Sequence, residues 1–267
     1  MRKTPPRWPW VLVAAVVLAA AGWMLWPRHD AGAPGTAPAP TPSADPAARP
    51  APDGTHAPAI AHPIDVDAAD AAIPPLADSD AAAWEALSGL AGDPALLDVL
   101  LREHLVRRLG VMIDNLTEPR MPTRALAMRP LPGTLSTEGD GATRWIAQAN
   151  AQRYEPYVAA FAQADPQRVA AAYRRFYPLF QQAYAEIAGG DAYFNDRLVA
   201  VIDHLLQAPE PAQPLQVVDG ADGKVRFADP ALEALSVGEK ALVRLSPDQR
   251  ERVKRQLRSL RGTLAQG

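Results

Sequence analysis

Cysteine is absent from the 267 residues, which excludes disulfides, thiolate zinc sites and a cysteine nucleophile. A basic excess is missing too. The formal net charge of -3 and a pI near 6.0 exclude a chain that is basic overall, as a general nucleic-acid binder would be. No Gly-x-Ser-x-Gly elbow occurs, so the serine signature of α/β-hydrolases is lacking. Tyrosine is found only between Tyr154 and Leu206, a stretch that also holds every phenylalanine except Phe227. Large apolar side chains are scarce from Arg28 to Pro75, where Ala, Pro, Gly, Thr and Asp dominate.

What is present sorts the chain into unlike materials. Trp8 to Trp26 (WPWVLVAAVVLAAAGWMLW) carries no charge. At 1.5 Å per residue it reaches roughly 28 Å, close to the ~30 Å hydrocarbon core of a bilayer. Trp8 and Trp10 stand at one end and Trp23 and Trp26 at the other, as in an interfacial aromatic belt. Arg2, Lys3 and Arg7 precede the span and only Arg28 closely follows it, so the positive-inside rule keeps the N-terminus in the cytoplasm. The competing reading is a cleaved signal peptide with its cleavage site at Ala19-Ala20-Ala21. Against that reading, the apolar run continues through Trp23-Met24-Leu25-Trp26.

The expected organisation is therefore a cytoplasmic tail (1–7), a single-pass transmembrane helix (8–26), an Ala/Pro-rich linker (27–75), a globular domain (76–262) and a short tail (263–267). The linker composition predicts disorder, because it offers too little apolar surface to offset its conformational entropy. His29, His56 and His62 fall inside it and read as solvated.

After Pro75 the helix starts share one grammar. Asp93-Pro94, Asp165-Pro166, Asp229-Pro230 and Ser246-Pro247 each set a capping side chain before a proline at the first helical position, where no N–H is lost. Ser236 with Glu239, and Ser246 with Gln249, also match the capping box. The spacing predicts helices over Ser79 to Leu90, Pro94 to about Asn115, Asp165 to Ile187 and Pro247 to Arg261, with His104 a core or boundary residue of the second. The last has a narrow apolar face of Val253, Leu257 and Leu260. Arg250, Arg252, Lys254, Arg255, Arg258 and Arg261 cover the rest, so it is expected to dock with a solvated basic back. Glu118 to Gly133 is a proline-punctuated connector whose Arg120, Arg124 and Arg129 have no acid between Glu118 and Glu138; such a set suits either an anion or solvation. Two β-hairpins are expected: Thr134 to Ser136 with Thr143 to Ile146, and Leu215 to Val218 with Val225 to Phe227.

The aromatic stretch reads as a helical hairpin. Val169, Tyr173, Phe176, Phe180, Ala183, Tyr184 and Ile187 share one stripe at helical spacing. Gly189-Gly190 ends that helix, and Asp191 is expected to cap the next, whose core face is Phe194, Leu198, Val201, Ile202 and Leu205. Tyr154, Tyr157 and Tyr193 are left over as the aromatics free to be exposed. Pro178 lies mid-helix on the polar side and should bend it towards the core.

The segments Tyr173-Arg174-Arg175-Phe176-Tyr177-Pro178-Leu179-Phe180 and Tyr193-Phe194-Asn195-Asp196-Arg197-Leu198 resemble the bacterial family known as domain of unknown function 3014, as do Val201 to Leu206 and Phe227-Ala228-Asp229-Pro230. The resemblance starts near Pro74-Pro75-Leu76. It implies a membrane span followed by one domain, with no activity assigned and no catalytic residues to carry over.

The expected fold class is mainly α: a transmembrane helix, a disordered linker and a helical-bundle domain with one or two short β-hairpins. The expected setting is the inner membrane of a Gram-negative-type envelope, with the domain in the periplasm. Its partners are the lipid bilayer, through the N-terminal helix, and an envelope protein or the cell wall, with no nucleic acid and no cofactor. One polar edge stays open to function, formed by Asn195, Asp196, Arg197, Asp203 and His204. An interaction module is the favoured reading. The alternative is a membrane-tethered envelope hydrolase that uses the acidic residues of 191–204, which requires Asp196 and Asp203 to converge in a cleft.

Overall fold

Residues 59–64, 73–90, 93–140, 143–220 and 223–266 are described by a computed structural model. The span expected at 8–26 lies outside them, as does most of the expected linker. Among the described residues no helix is long and apolar enough to cross a membrane.

The first helix, α1 (Asp80–Leu90), keeps to the expected bounds. The second expectation fails. Pro94–Val99 forms a 3-10 helix capped by Asp93, Leu100 turns extended to bridge Met128, and α2 begins only at Leu105 (Leu105–Asp114). Two backbone bonds fix the break: the Leu101 amide donates to the Ala127 carbonyl at 2.8 Å, and that of Arg129 to Val99 at 2.6 Å. The Asp80 carboxylate then accepts from the amides of His104 and Leu105, each at 2.8 Å. It supplies the cap that α2 lacks locally, since His104 itself sits in the left-handed region at φ 53° with its side chain exposed. The partner of this stretch is the proline-punctuated connector. Met121, Ala125, Leu126, Ala127, Met128 and Leu131 of that connector are buried, and Arg120, Arg124 and Arg129 remain outside.

Next comes α3 (Ala149–Gln163), which was not anticipated and buries Tyr154. The α4 helix (Pro166–Ala188) has the expected Asp165 cap and a Pro178 interior. It packs against α1, α2, α5 (Phe194–Leu206) and α8 (Pro247–Leu264). Its apolar stripe is buried through Tyr184, but Ile187 at its end is exposed. Gly189 takes φ 98° after the helix, as expected. Asp191 does not cap α5. The Gln181 side chain does so instead, accepting from the Phe194 amide at 2.8 Å and donating to the Ala192 carbonyl at 2.7 Å. It faces the hairpin junction rather than solvent.

Both hairpins form. The first is shifted to β1 (Thr137–Glu138) and β2 (Trp145–Ile146); the second pairs β3 (Val217–Asp219) with β4 (Val225–Phe227). A bridge from Trp145 to Gln216 joins them. Ile146, Leu215, Val217, Phe227 and Val243 close a small second core below. The short α6 (Pro230–Glu233) and α7 (Val237–Arg244) start with the Asp229 cap and the Ser236/Glu239 box.

The C-terminal helix is corrected most. It is central, packed on α3, α4 and α5, and both Arg250 and Lys254 on its basic side are buried. It also runs on to Leu264, itself buried. Helix ends expose carbonyls that need donors, and the long polar side chains of α8 reach them. Gln256 donates to Ala164 O at the end of α3, Lys254 to Ala208 O just past α5, and Arg250 to Val243 O in α7. Arg252 pairs with Glu155 of α3, whose carboxyl is thereby held below its ordinary range. A polar side that reads as a solvated back thus fastens α8 to three other helices.

Candidate functional site

Helix α5 carries all five candidate residues, and each is engaged by another part of the fold. Asn195 is fully buried; its amide donates to His62 O at 2.9 Å and to Leu264 O at 3.2 Å. Asp196 accepts from two consecutive amides, Ala61 at 2.9 Å and His62 at 2.7 Å. Just ahead of the helix, the Tyr193 hydroxyl accepts from the Ile64 amide at 2.7 Å. Residues 61–64 are thus held as a strap, with Ile64 buried in the main core. Pro63 of the strap has no N–H to leave unpaired. Composition assigned this stretch to the linker, with His62 solvated; its backbone is instead read by three side chains in succession, and His62 is half-buried.

Arg197 faces the other way. Its guanidinium donates to the Asp114 carboxylate and carbonyl, each at 2.6 Å, and to Thr117 Oγ1 at 2.7 Å. That closes the C-terminal end of α2, where a cation is favoured. Asp203 takes a two-pronged pair from Arg261 of α8, which holds its carboxyl below the usual carboxylate range. Asp196 and Asp203 therefore serve different neighbours, the strap and α8, and do not act as a carboxylate pair.

His204 Nε2 lies 2.8 Å from Ser236 Oγ and 3.3 Å from Glu239 Oε2, bordering a cavity of about 350 Å³ with Thr117, Pro119 and Leu235. A serine, a histidine and a glutamate in one place suggest nucleophilic catalysis, but the geometry is wrong for it. A relay needs serine and carboxylate on opposite ring nitrogens, and here both meet the same one. Ser236 Oγ is moreover engaged by the Glu239 amide at 3.2 Å, and Glu239 by the Ser236 amide at 3.0 Å. The trio is a capping box with an imidazole laid across it. Among the described residues no group of three or more His, Asp or Glu side chains is arranged to hold a metal.

The aromatics form the wall behind this face. Tyr173, Phe180 and Tyr184 of α4 surround Phe194, and Tyr177 meets Tyr193 with ring centres 5.6 Å apart. Burial pushes the Tyr173 and Tyr177 phenols well above their ordinary range. Tyr154, expected to be free, is buried, and Tyr157 and Tyr193 are half-buried. The signal that was missed is the strap, whose own sequence is an unremarkable Ala-His-Pro-Ile.

Residues 105–261 match the family described as "Protein of unknown function (DUF3014)". The match begins at the first residue of α2 and ends within α8, so the strap and α1 lie outside it. No curated protein and no solved structure matches the chain.

Proposed function

The chain belongs to this family of unknown function, and from that premise we propose that it is a membrane-anchored binding module of the bacterial envelope, joined to its tether at α5. The observation that carries this reading is the use made of the polar edge. Asp196 takes two consecutive amides of the chain's own N-terminal stretch, Asn195 the carbonyl between those amides and the Ile64 amide, and Tyr193 that next amide. Residues with the chemistry of a reaction centre serve as a joint. Anchoring rests on the uncharged Trp8 to Trp26 run, and its direction on Arg2, Lys3 and Arg7 ahead of it. These support a domain in the periplasm acting by contact with an envelope protein or the wall.

A reporter that is active only in the periplasm, fused after Gly267, is expected to be active; activity of a cytoplasm-only reporter at the same site overturns the orientation. The joint is tested by amide exchange on the full chain. Asp196→Ala is expected to speed exchange at Ala61 and His62 by roughly 10- to 100-fold, the loss of ~1–3 kcal/mol of charge-assisted bonding. The amide of Ile64 should respond instead to Tyr193→Phe, which removes the hydroxyl oxygen that accepts from it. Unchanged protection at Ala61 and His62 would sink the joint.

A further inference from the structure

A cavity of about 580 Å³ opens where the break before α2 meets the connector. Three arginines from three different segments border it: Arg102 from the extended stretch, Arg108 from α2 and Arg129 from the connector. From these we infer that the cavity is a binding site for a small anion, a phosphate or carboxylate group carried on an apolar body.

The charges are incompletely neutralised. Arg108 donates only to neutral carbonyls, Glu103 O at 2.9 Å and Leu126 O at 3.3 Å. Arg129 is exposed, and although its amide is bound to Val99 O, its guanidinium makes no hydrogen bond or ion pair with any other described residue. Arg102 lies over the Trp84 ring, 3.8 Å from its centre, and meets Asp98 only at 3.9 Å, with that carboxylate 71% exposed. Against three guanidinium groups the lining sets Asp98 and Glu103, an excess of one positive charge. Guanidinium groups bind phosphate and carboxylate through paired N–H donors. Leu100 and Leu101 add an apolar wall, and the volume is that of a small-molecule site.

The lining is also held in place before any ligand arrives. Arg108 is fixed from both sides by its two carbonyls. The turn that carries Glu103 depends on His104 at φ 53°, a left-handed conformation that non-glycine residues seldom adopt. The Asp80 carboxylate holds it there through the amides of His104 and Leu105. Backbone strain that is over-determined by its surroundings is a common mark of preorganised sites.

The test uses the full chain in neutral detergent micelles, followed by NMR of the arginine side-chain N–H groups. Inorganic phosphate is titrated in one arm and phosphatidylglycerol is added to the micelles in the other. Saturable shifts with phosphate assign a soluble anion, and saturable shifts with the lipid alone assign a head group. In either case Arg129→Glu is expected to weaken binding at least tenfold, and Arg129→Lys, which keeps the charge but not the paired donors, by less. Circular dichroism of both variants should match the parent, since Arg129 is exposed. No saturation in either arm, or an unchanged affinity in Arg129→Glu, overturns the inference.

Discussion

Truncating Phe194 to alanine is expected to remove about 3–5 kcal/mol of stability, the range for a large aromatic deleted from a core. The ring is completely buried. It stacks on Phe180, with centres 5.4 Å apart and planes 2° apart, and meets Tyr184 at 5.4 Å and Tyr173 at 6.3 Å. Its far side approaches the Gly110 backbone of α2. The vacancy would thus be lined by three helices, each fixed by its own further contacts, and could close only by moving rigid elements. Urea denaturation of the full chain measures the loss. A change under about 1 kcal/mol would mean that the site collapses freely, contrary to the close packing expected of a core.

Gly238→Ala should cost about 1–3 kcal/mol through overpacking, a large effect for one methyl group. A β-carbon there would overlap Leu205 Cδ2 and come within 2.9 Å of the Leu116 carbonyl oxygen. The leucine tip can swing aside, but the carbonyl belongs to the 3-10 turn Asn115–Thr117 and cannot. The same junction is pinned by the Val237 amide donating to Glu118 O at 2.7 Å. Chemical denaturation of Gly238→Ala, Leu205→Ala and the double variant separates the two overlaps. If the carbonyl dominates, the two costs add; if the leucine dominates, the double variant recovers most of the glycine cost.

Helix starts were legible because their causes are local. Asp93, Asp165, Asp229 and Ser246 each accept from an amide two or three residues on, and proline excludes the alternatives within the same few positions. The interruption before α2 was not legible, because Asp80 lies 24 residues ahead of the amide it caps and Met128 lies 28 beyond Leu100. An apolar run read at helical period cannot report a partner so distant. Asp191 failed as a cap for a related reason: Gln181, about two turns before the end of the preceding helix, reaches the Phe194 amide from tertiary position. The buried basic residues of α8 were misjudged because Arg250 and Lys254 donate to carbonyls, which every residue has and composition cannot distinguish. At the polar edge, the types of residue were right and their work was not. Asn195 and Asp196 reach partners more than 130 residues away, in a stretch whose lack of apolar surface argued against any fixed structure. Its backbone groups supply what its side chains lack.

The joint at α5 also decides where a pull would enter the domain. For a chain held at its N-terminal end, tension reaches Ala61 first and is borne by Asp196, Asn195 and Tyr193, with Ile64 seated behind them. Only when those contacts part does load pass to Ile73, where the next described segment begins and packs against the main core. In a chain held that way, the same four residues take the load before the helices behind them do.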